Sequence, residues 1–326
     1  MPDMAQTFDV CIRGAGIVGR TLALLLARER LRVALVAPPQ PRSLQQKDVR
    51  AYALNASSRA VLQSLRCWPD DEDATPVVGM QVFGDLDGQI QFDAASQEVP
   101  ALAWIVDVPA LEQRLAEAVR YQPQVEIVKE PVEAALTAVC EGRSSSTRTE
   151  FGVEFSVTPY SQHAIATRLS CELAHGGIAR QWFTPEGILA FLPMGGPDGH
   201  EVAVVWSLEQ SLVPDWLESD EESFTTRLQS ISQDALGRLE LVAERNEQWR
   251  NLQTLMHYCR DLAIHKVLEQ EIAALKAGRT LLANPSPVSP LLTQALGALR
   301  DAIMAHCSRY EQCYHDCYRD LEADLS

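Results

Sequence analysis

The amino-acid sequence predicts an α/β protein with a dinucleotide-binding unit at its N-terminus, an antiparallel β-sheet in its middle part and a helical C-terminal segment. Three observations lead to this prediction. A strand, a glycine-rich turn, a helix and a second strand follow one another within residues 8–36. Extended apolar runs, separated by turns that contain Gly and Pro, occupy residues 151–208. After residue 208 the apolar residues recur with helical periodicity.

The N-terminal unit carries the strongest signal for a ligand. Residues 8–12 form its first predicted strand, and Gly14, Gly16 and Gly19 form the GxGxxG turn that follows. In this motif the first glycine permits a tight turn, the second lets the backbone approach a pyrophosphate, and the third lets the helix pack closely on the sheet. Free N–H groups at the start of the helix then bind the phosphate. The motif predicts a Rossmann-type dinucleotide-binding domain, and the alternative is a βαβ turn without a ligand.

The rest of the N-terminal domain consists of short predicted elements. The second strand, residues 31–36, ends without the acidic residue that usually binds a ribose hydroxyl. Residues 48–65 are expected to form a loop that enters a helix, with Ser57 or Ser58 as its N-cap, and residues 78–93 a β-hairpin. A helix with Pro in its first turn is expected at residues 109–120, and two short strands at residues 125–128 and 136–139. These elements assign residues 1–158 to this domain, with the hairpin region 76–99 joining the next sheet.

The middle and C-terminal parts differ in periodicity. Five extended runs predict the antiparallel sheet, at residues 151–157, 163–173, 178–183, 188–194 and 201–208. The sheet domain is assigned to residues 159–208. No strand is expected after residue 208, and the segment 209–326 is predicted to form helices at residues 223–244, 247–277 and 291–325.

Composition and charge narrow the class of protein. The chain has 326 residues, of which 46% are hydrophobic, so it can bury a core. Its net charge of −16 argues against nucleic-acid binding, because phosphate neutralisation requires a basic face. The eight cysteines form no CxxC pair, and the sequence contains neither a recognisable signal peptide nor a run of membrane-spanning length. We therefore expect a cytoplasmic protein with free thiols.

Three stretches give the sequence, from about residue 8 to about residue 244, a resemblance to a known family. They are FDVCIRGAGIVGRTLAL around the glycine turn, Asp48-Val49-Arg50-Ala51-Tyr52-Ala53-Leu54, and Val139-Cys140-Glu141-Gly142-Arg143-Ser144. The sequence resembles the FAD-dependent aromatic hydroxylases of ubiquinone biosynthesis, which are relatives of para-hydroxybenzoate hydroxylase.

This resemblance implies an FAD-binding N-terminal domain and several residues that contact the cofactor. Arg50 would lie beside the flavin nucleotide, and Glu141 and Gly142 would form a second nucleotide motif. Gln113 or Arg114 would lie near the pyrophosphate. For Arg50 the alternative is a surface or helix-capping role, and for Glu141-Gly142 it is a plain turn between a strand and a loop.

The reaction implied by the resemblance is hydroxylation of an aromatic ring, like that of a ubiquinone precursor, with NAD(P)H as transient reductant and O₂ as oxidant. The sequence identifies no catalytic side chain. The substrate, a small aromatic or quinone-like molecule, would lie over the antiparallel sheet and would bring the protein transiently to a membrane surface. Large apolar side chains that could line its site, and that more often belong to a core, are Trp182, Phe183, Phe191, Met194 and Trp206.

One motif of the family is missing. In the family, a Gly-Asp pair followed by Ala-His and a loop rich in Pro and Gly holds the ribityl chain of FAD. The only Gly-Asp pair of this chain, Gly84-Asp85, lies in the predicted hairpin. FAD is therefore expected to bind more weakly than is usual for the family. The missing motif also leaves a second interpretation open, a non-catalytic flavoprotein relative that acts as a binding or assembly subunit.

Residues 250–326 match no motif known to us. They contain four cysteines and four histidines, but the spacing fits no zinc motif, so no metal site is predicted. We expect a helical layer that packs on the sheet or on a protein partner.

Overall fold

A computed structural model describes residues 8–37, 48–84, 88–142, 145–153 and 161–242. The strands in these ranges are β1 (Phe8–Arg13), β2 (Val33–Val36), β3 (Ala51–Leu54), β4 (Ala74–Val77), β5 (Gly79–Phe83), β6 (Gln89–Asp93), β7 (Ala103–Asp107), β8 (Val125–Val128), β9 (Ala134–Val139), β10 (Gln162–Cys171), β11 (Ile178–Thr184), β12 (Gly187–Met194), β13 (Glu201–Glu209) and β14 (Leu239–Leu241). The α-helices are α1 (Ile17–Arg28), α2 (Ala56–Ser64), α3 (Val108–Arg120), α4 (Ser146–Glu150), α5 (Val213–Glu218) and α6 (Glu221–Ser232), and a 3₁₀ turn covers Gln210–Leu212.

The N-terminal sheet is parallel and has the order β8-β2-β1-β9. Numbered by their occurrence within this sheet, the strands stand in the order 3-2-1-4, which is the order of the first four strands of a Rossmann-type sheet. The run VALV of β2 is buried along its whole length, as expected for a strand with both faces covered. Helices α1 and α3 contact each other, and α3 buries one apolar stripe that includes Leu111 and Leu115.

The larger sheet has seven strands in the order β14-β10-β13-β12-β11-β5-β6. All neighbouring strands are antiparallel except β5 and β11, which are parallel. Helices α5 and α6 contribute Trp216 and Phe224, whose rings pack against Trp206 of β13 with centroid distances of 5.1 and 6.0 Å. The third sheet has three strands in the order β3-β7-β4. Ile105 of β7 and Met194 of β12 belong to one buried apolar cluster, which joins this sheet to the seven-stranded sheet.

Most of the expected elements are confirmed. The hairpin is β5 and β6, and it lies in the seven-stranded sheet. The helix with Pro in its first turn is α3. The two short strands before residue 140 are β8 and β9. Four of the five extended runs are β10 to β13.

The segment around α2 differs from the expectation. Residues 51–54 form β3 rather than a loop, because pairing with β7 satisfies their backbone groups. The N-cap of α2 is Asn55, whose side-chain oxygen accepts a 2.8 Å hydrogen bond from Ser58 N; neither Ser57 nor Ser58 caps the helix. Asn is as good an N-cap as Ser, so local preference alone did not separate them.

Two further expectations are wrong. The run at residues 151–157 does not begin as a strand, because α4 and a turn occupy residues 146–152; residues 154–160 lie outside the described part. The chain also returns to a strand after residue 208. Helix α6 stops where Gln233 takes a left-handed conformation (φ 51°), and β14 then pairs with the edge of β10. The predicted helices at residues 247–277 and 291–325 lie outside the described residues.

Candidate functional site

The candidate site lies at the carboxyl ends of β1 and β9, which are parallel neighbours in the N-terminal sheet. The chain order of the strands changes direction between these two, and ligands of open α/β sheets bind in the crevice at such a point. The glycine turn follows β1, and Glu141-Gly142 follows β9. The two turns are in direct contact, since a Cβ atom built on Gly14 would lie 2.4 Å from the backbone oxygen of Cys140.

The three glycines of the turn have different surroundings. Gly14 has φ +111° and faces the backbone of Cys140, so it permits both the turn and the contact with β9. A Cβ atom on Gly19 would lie 1.8 Å from the backbone oxygen of Gly14, so this glycine lets α1 approach the turn. A Cβ atom on Gly16 would meet no atom within 4 Å. The contacts of the described residues therefore explain the glycines at positions 14 and 19 but not the one at position 16.

Gly16 is also the N-cap of α1, and no side chain caps this helix end. The first backbone N–H group that bonds within the helix is that of Arg20, which donates to Gly16 O at 3.0 Å. No acidic side chain occupies the first turn of α1. The N–H groups of this turn and the positive end of the helix dipole can therefore bind an anion.

Glu141 is held within its own turn. Its carboxylate accepts hydrogen bonds from Ser145 Oγ (2.7 Å), Thr147 Oγ1 (2.6 Å) and Thr147 N (3.2 Å), and Arg13 Nε lies 3.9 Å away. Burial alone would raise the pKa of Glu141, but the hydrogen bonds from Thr147 and Ser145 and the charge of Arg13 lower it. The carboxylate is thus ionised and stabilises the start of α4; sequence reasoning had not identified Ser145 and Thr147 as its partners.

Arg50 lies between two carboxylates. It donates to Asp48 at 2.6 Å and to Glu112, on the first turns of α3, at 3.3 Å. The hydrogen bond to Asp48, with the charges of both acids, raises the pKa of Arg50. Arg50 therefore stays charged, and α3 reaches it through Glu112 rather than through Gln113. Spacing along α3 could not show which of these neighbours faces Arg50.

The two candidates on α3 itself are placed differently. Gln113 is exposed, and Arg114 forms an ion pair with Asp70. The structure therefore brings Arg50 to α3, and Glu141 and Gly142 to the glycine turn. Contact of any of these residues with a cofactor stays a prediction.

Four of the five apolar side chains considered for a substrate wall belong to the core. Trp182 lies between Phe83 and Phe191, with ring centroids 5.5 and 5.0 Å away, and is 4% exposed. Phe191, Met194 and Trp206 are buried as well, whereas Phe183 is 42% exposed. The core interpretation therefore fits these four residues.

Other features of the described part lie away from this crevice. A cavity of about 250 Å³, lined in part by Arg59, Trp68 and Trp104, shares no residue with the two turns.

Among the described residues, no three His, Cys, Asp or Glu side chains are placed to hold a metal ion. The cysteines and histidines of residues 250–326 lie outside that part. No helix in the described ranges is both long and apolar enough to cross a bilayer.

The strand order and the glycine turn at the switch point define an α/β protein with a Rossmann-type parallel sheet. Comparison with solved structures agrees with this fold. The chain matches a probable FAD-dependent monooxygenase from Pseudomonas aeruginosa with a TM-score of 0.59 and 17% identity, over 73% of both chains. It matches p-nitrophenol 4-monooxygenase from Pseudomonas putida with a TM-score of 0.52 and 17% identity, over 73% of this chain and 68% of that one.

Comparison of sequences identifies relatives among the curated proteins. The chain is 28% identical to 3-demethoxyubiquinol 3-hydroxylase of Escherichia coli, in an alignment that covers 58% of this chain and 55% of that protein. It is 25% identical to a ubiquinone hydroxylase of Rhodospirillum rubrum over 274 residues, 77% of this chain and 63% of that protein. The chain thus spans between about half and two thirds of these relatives. No protein-family profile matches it. The predicted resemblance to the ubiquinone-biosynthesis hydroxylases is confirmed by these relatives.

Proposed function

We propose that this protein binds FAD in the crevice between β1 and β9 and hydroxylates an aromatic, ubiquinone-precursor-like ring with NAD(P)H and O₂. The proposal depends on the surroundings of Gly16. This residue is the N-cap of α1, no side chain caps the helix there, and no atom lies within 4 Å of the position of a Cβ atom. It lies at the switch point of the sheet. A side chain would fit there without a clash in the free protein, so packing within the described residues does not require this glycine, and its place at the start of α1 fits close approach of a phosphate to the backbone. The relatives, hydroxylases by name, support the choice of the reaction, and the similar structure described as a probable FAD-dependent monooxygenase supports the choice of FAD.

The residues present fit the phosphate end of this cofactor. The backbone at Gly14 and Gly16 and the first N–H groups of α1 would hold the pyrophosphate. The guanidinium of Arg50, kept charged by Asp48 and Glu112, would lie beside the nucleotide as the family resemblance implies. The carboxylate of Glu141 already accepts hydrogen bonds from Ser145 and Thr147, so Glu141 would contribute by fixing the turn after β9 and not by contacting the cofactor with its side chain.

FAD, when bound, would supply the O₂ chemistry, in which NAD(P)H provides two electrons, one oxygen atom enters the ring and the other leaves as water. The protein would orient the ring over the seven-stranded sheet and keep water away. The substrate would be a small aromatic or quinone-like molecule. The cytoplasmic location, the transient membrane contact and a protein partner for residues 250–326 stay predictions.

One observation favours a second function, a flavoprotein relative that binds or assembles without catalysis. The chain contains no Gly-Asp pair after the sheet strands, whereas the family uses such a pair to hold the ribityl chain. An FAD-binding protein that consumes no NAD(P)H with any ring substrate would support this second function.

The first experiment tests binding of FAD. We expect the purified protein to be yellow, or to quench flavin fluorescence when titrated with FAD. Gly16→Val should abolish this binding, because the side chain blocks the approach of the pyrophosphate. Gly88→Val is a matched control. Gly88 lies between β5 and β6, and a Cβ atom there also meets no atom within 4 Å. Equal flavin retention by the Gly16→Val variant and the unchanged protein would refute the proposed site.

The second experiment tests the reaction. Loss of one charge-assisted hydrogen bond costs about 1.5–3 kcal/mol, or about tenfold to more than a hundredfold in affinity. We therefore expect FAD to bind more weakly than in complete relatives, and NAD(P)H consumption to exceed product formation, with the difference released as hydrogen peroxide. Tight FAD binding with one product per NAD(P)H would show that another segment replaces the missing pair.

A further inference from the structure

The side chain of Arg168, on β10, joins the seven-stranded sheet to the segments that lead to the candidate site. It is 6% exposed and has partners on several sides. Its guanidinium lies 2.6 Å from Asp107 Oδ2, at the start of α3, and 3.5 Å from Glu201 Oε1, on β13. The sequence did not indicate a role for Arg168, because all of these partners lie on other elements of the fold.

Two further contacts reach the backbone just before β3. Arg168 Nε donates to Val49 O at 3.4 Å, and Nη2 donates to Arg50 O at 3.3 Å. Arg50 O also accepts a hydrogen bond from Val108 N, the first residue of α3, at 3.2 Å. The backbone at Arg50 is thus fixed from one side by α3 and from the other by Arg168.

We infer that Arg168 is a positioning residue, which fixes Arg50 and the start of α3 against the seven-stranded sheet and so sets the affinity for FAD. The inference rests on the proposed function for the role of Arg50. The planar fork of an arginine can serve Asp107, Glu201 and two carbonyl groups at once. A lysine could pair with Asp107 but could not span the same set of acceptors.

Arg168 also holds the cap of α3. Asp107 accepts a 2.9 Å hydrogen bond from Ala110 N while it pairs with Arg168. Removal of the charge at position 168 would leave Asp107 buried without its cation, and such variants often fail to fold. Arg168→Lys keeps a cation beside Asp107 and is therefore the variant to test. Arg227→Lys is the control, because Arg227, on α6, pairs with Glu186 between β11 and β12, which is not one of the partners of Arg168.

The experiment measures two quantities in the full-length chain, at a temperature where circular dichroism shows each variant folded. The first is the Kd for FAD from fluorescence titration. We expect Arg168→Lys to raise it about fivefold to tenfold, less than the loss of a charged hydrogen bond to FAD itself would, because Arg168 acts through Arg50, and we expect Arg227→Lys to leave it unchanged. In an Arg50→Gln background, Arg168→Lys should change the Kd by less than about twofold, since it acts through Arg50.

The second quantity is amide hydrogen exchange without FAD. We expect Arg168→Lys to speed exchange at Val108 and in β3 by about tenfold, and Arg227→Lys to leave these amides unchanged. Unchanged exchange in Arg168→Lys would overturn the inference, whether or not FAD binds. An equal Kd in Arg168→Lys and the unchanged protein would also overturn it. Absence of FAD binding in the unchanged protein would refute the proposed function instead, and the exchange result would still decide whether Arg168 fixes this segment.

Discussion

Replacing the three glycines of the turn by alanine, one at a time, should separate folding from ligand binding. Gly14→Ala places a Cβ atom 2.4 Å from Cys140 O and 2.6 Å from Cys140 C, at a φ of +111°. Both contacts are with backbone, which cannot move aside as a flexible side chain can. A strained φ costs of order 1–3 kcal/mol, and an overpacked contact costs about 1–3 kcal/mol more. Gly14→Ala should therefore lower the free energy of unfolding by about 2–6 kcal/mol.

Gly16→Ala should behave differently. The new Cβ atom meets no atom within 4 Å, and the residue already has a negative φ of −76°. Alanine is a poorer N-cap than glycine, but it also restricts the unfolded chain, and each effect is below about 1 kcal/mol. The unfolding free energy should stay within about 1 kcal/mol of the unchanged protein, while the affinity for FAD falls. Gly19→Ala, with its Cβ atom 1.8 Å from Gly14 O, should resemble Gly14→Ala.

The assay is urea unfolding without FAD, followed by circular dichroism, together with FAD titration of each folded variant. The reasoning fails if Gly16→Ala unfolds as readily as Gly14→Ala, because Gly16 would then have a structural role that its open surroundings do not show. It also fails if Gly14→Ala is as stable as the unchanged protein. Tolerance of Gly16→Ala in both assays would mean that nothing approaches the backbone at this position.

Three further predictions concern pH, thiol chemistry and salt. Burial lowers the pKa of His175, whose Nδ1 accepts a hydrogen bond from Gly177 N and whose Nε2 donates one to Met194 O. The free energy of unfolding should therefore be highest above about pH 6.5 and should fall as the pH drops. Urea titrations should show a smaller fall for His175→Gln. Burial raises the pKa of Cys140 to about 11, so iodoacetamide at pH 8 should label this thiol far more slowly in the native protein than in urea, as peptide mass spectrometry would show. Raising NaCl from about 0.05 to about 0.5 M should leave the Kd for FAD unchanged or lower it slightly, by less than about threefold.

The elements that sequence predicted correctly are those with a strong local pattern. Short stretches of sequence are enough to predict the apolar run of β2, the glycine turn and α3, which begins with Pro in its first turn. Strands β3 and β14 were missed because each is short and is stabilised by a partner far away in the chain, β7 and β10 respectively. Such pairing depends on the tertiary fold, which no local pattern contains.

The candidate site was predictable only in its backbone part. The motif positions of Gly14, Gly16 and Gly19 follow directly from spacing, and the structure adds which of them serves packing. The side chains that complete the surroundings were not predictable. Glu112 meets Arg50 from another element, and Arg168 reaches the same segment from the second sheet. Contacts of this kind join residues 62 and 118 positions apart, so their spacing along the chain carries no signal.

The expectation of weak salt dependence follows from how charge is arranged at the crevice. A nucleotide site that relies on free lysines or arginines weakens steeply as salt screens them. Here Arg13, the last residue of β1, pairs with Glu150 at 2.8 Å, and Arg50 pairs with Asp48 and Glu112. These acids offset the charges of Arg13 and Arg50, in a chain whose net charge of −16 already repels a diphosphate. The remaining attraction comes from fixed N–H groups at the start of α1, which act at contact distance. Screening removes the long-range repulsion and leaves those contacts, so the Kd measured across the salt series should stay level or fall slightly. A Kd that rises more than about tenfold would show that arginine charge, and not the backbone, binds the phosphates.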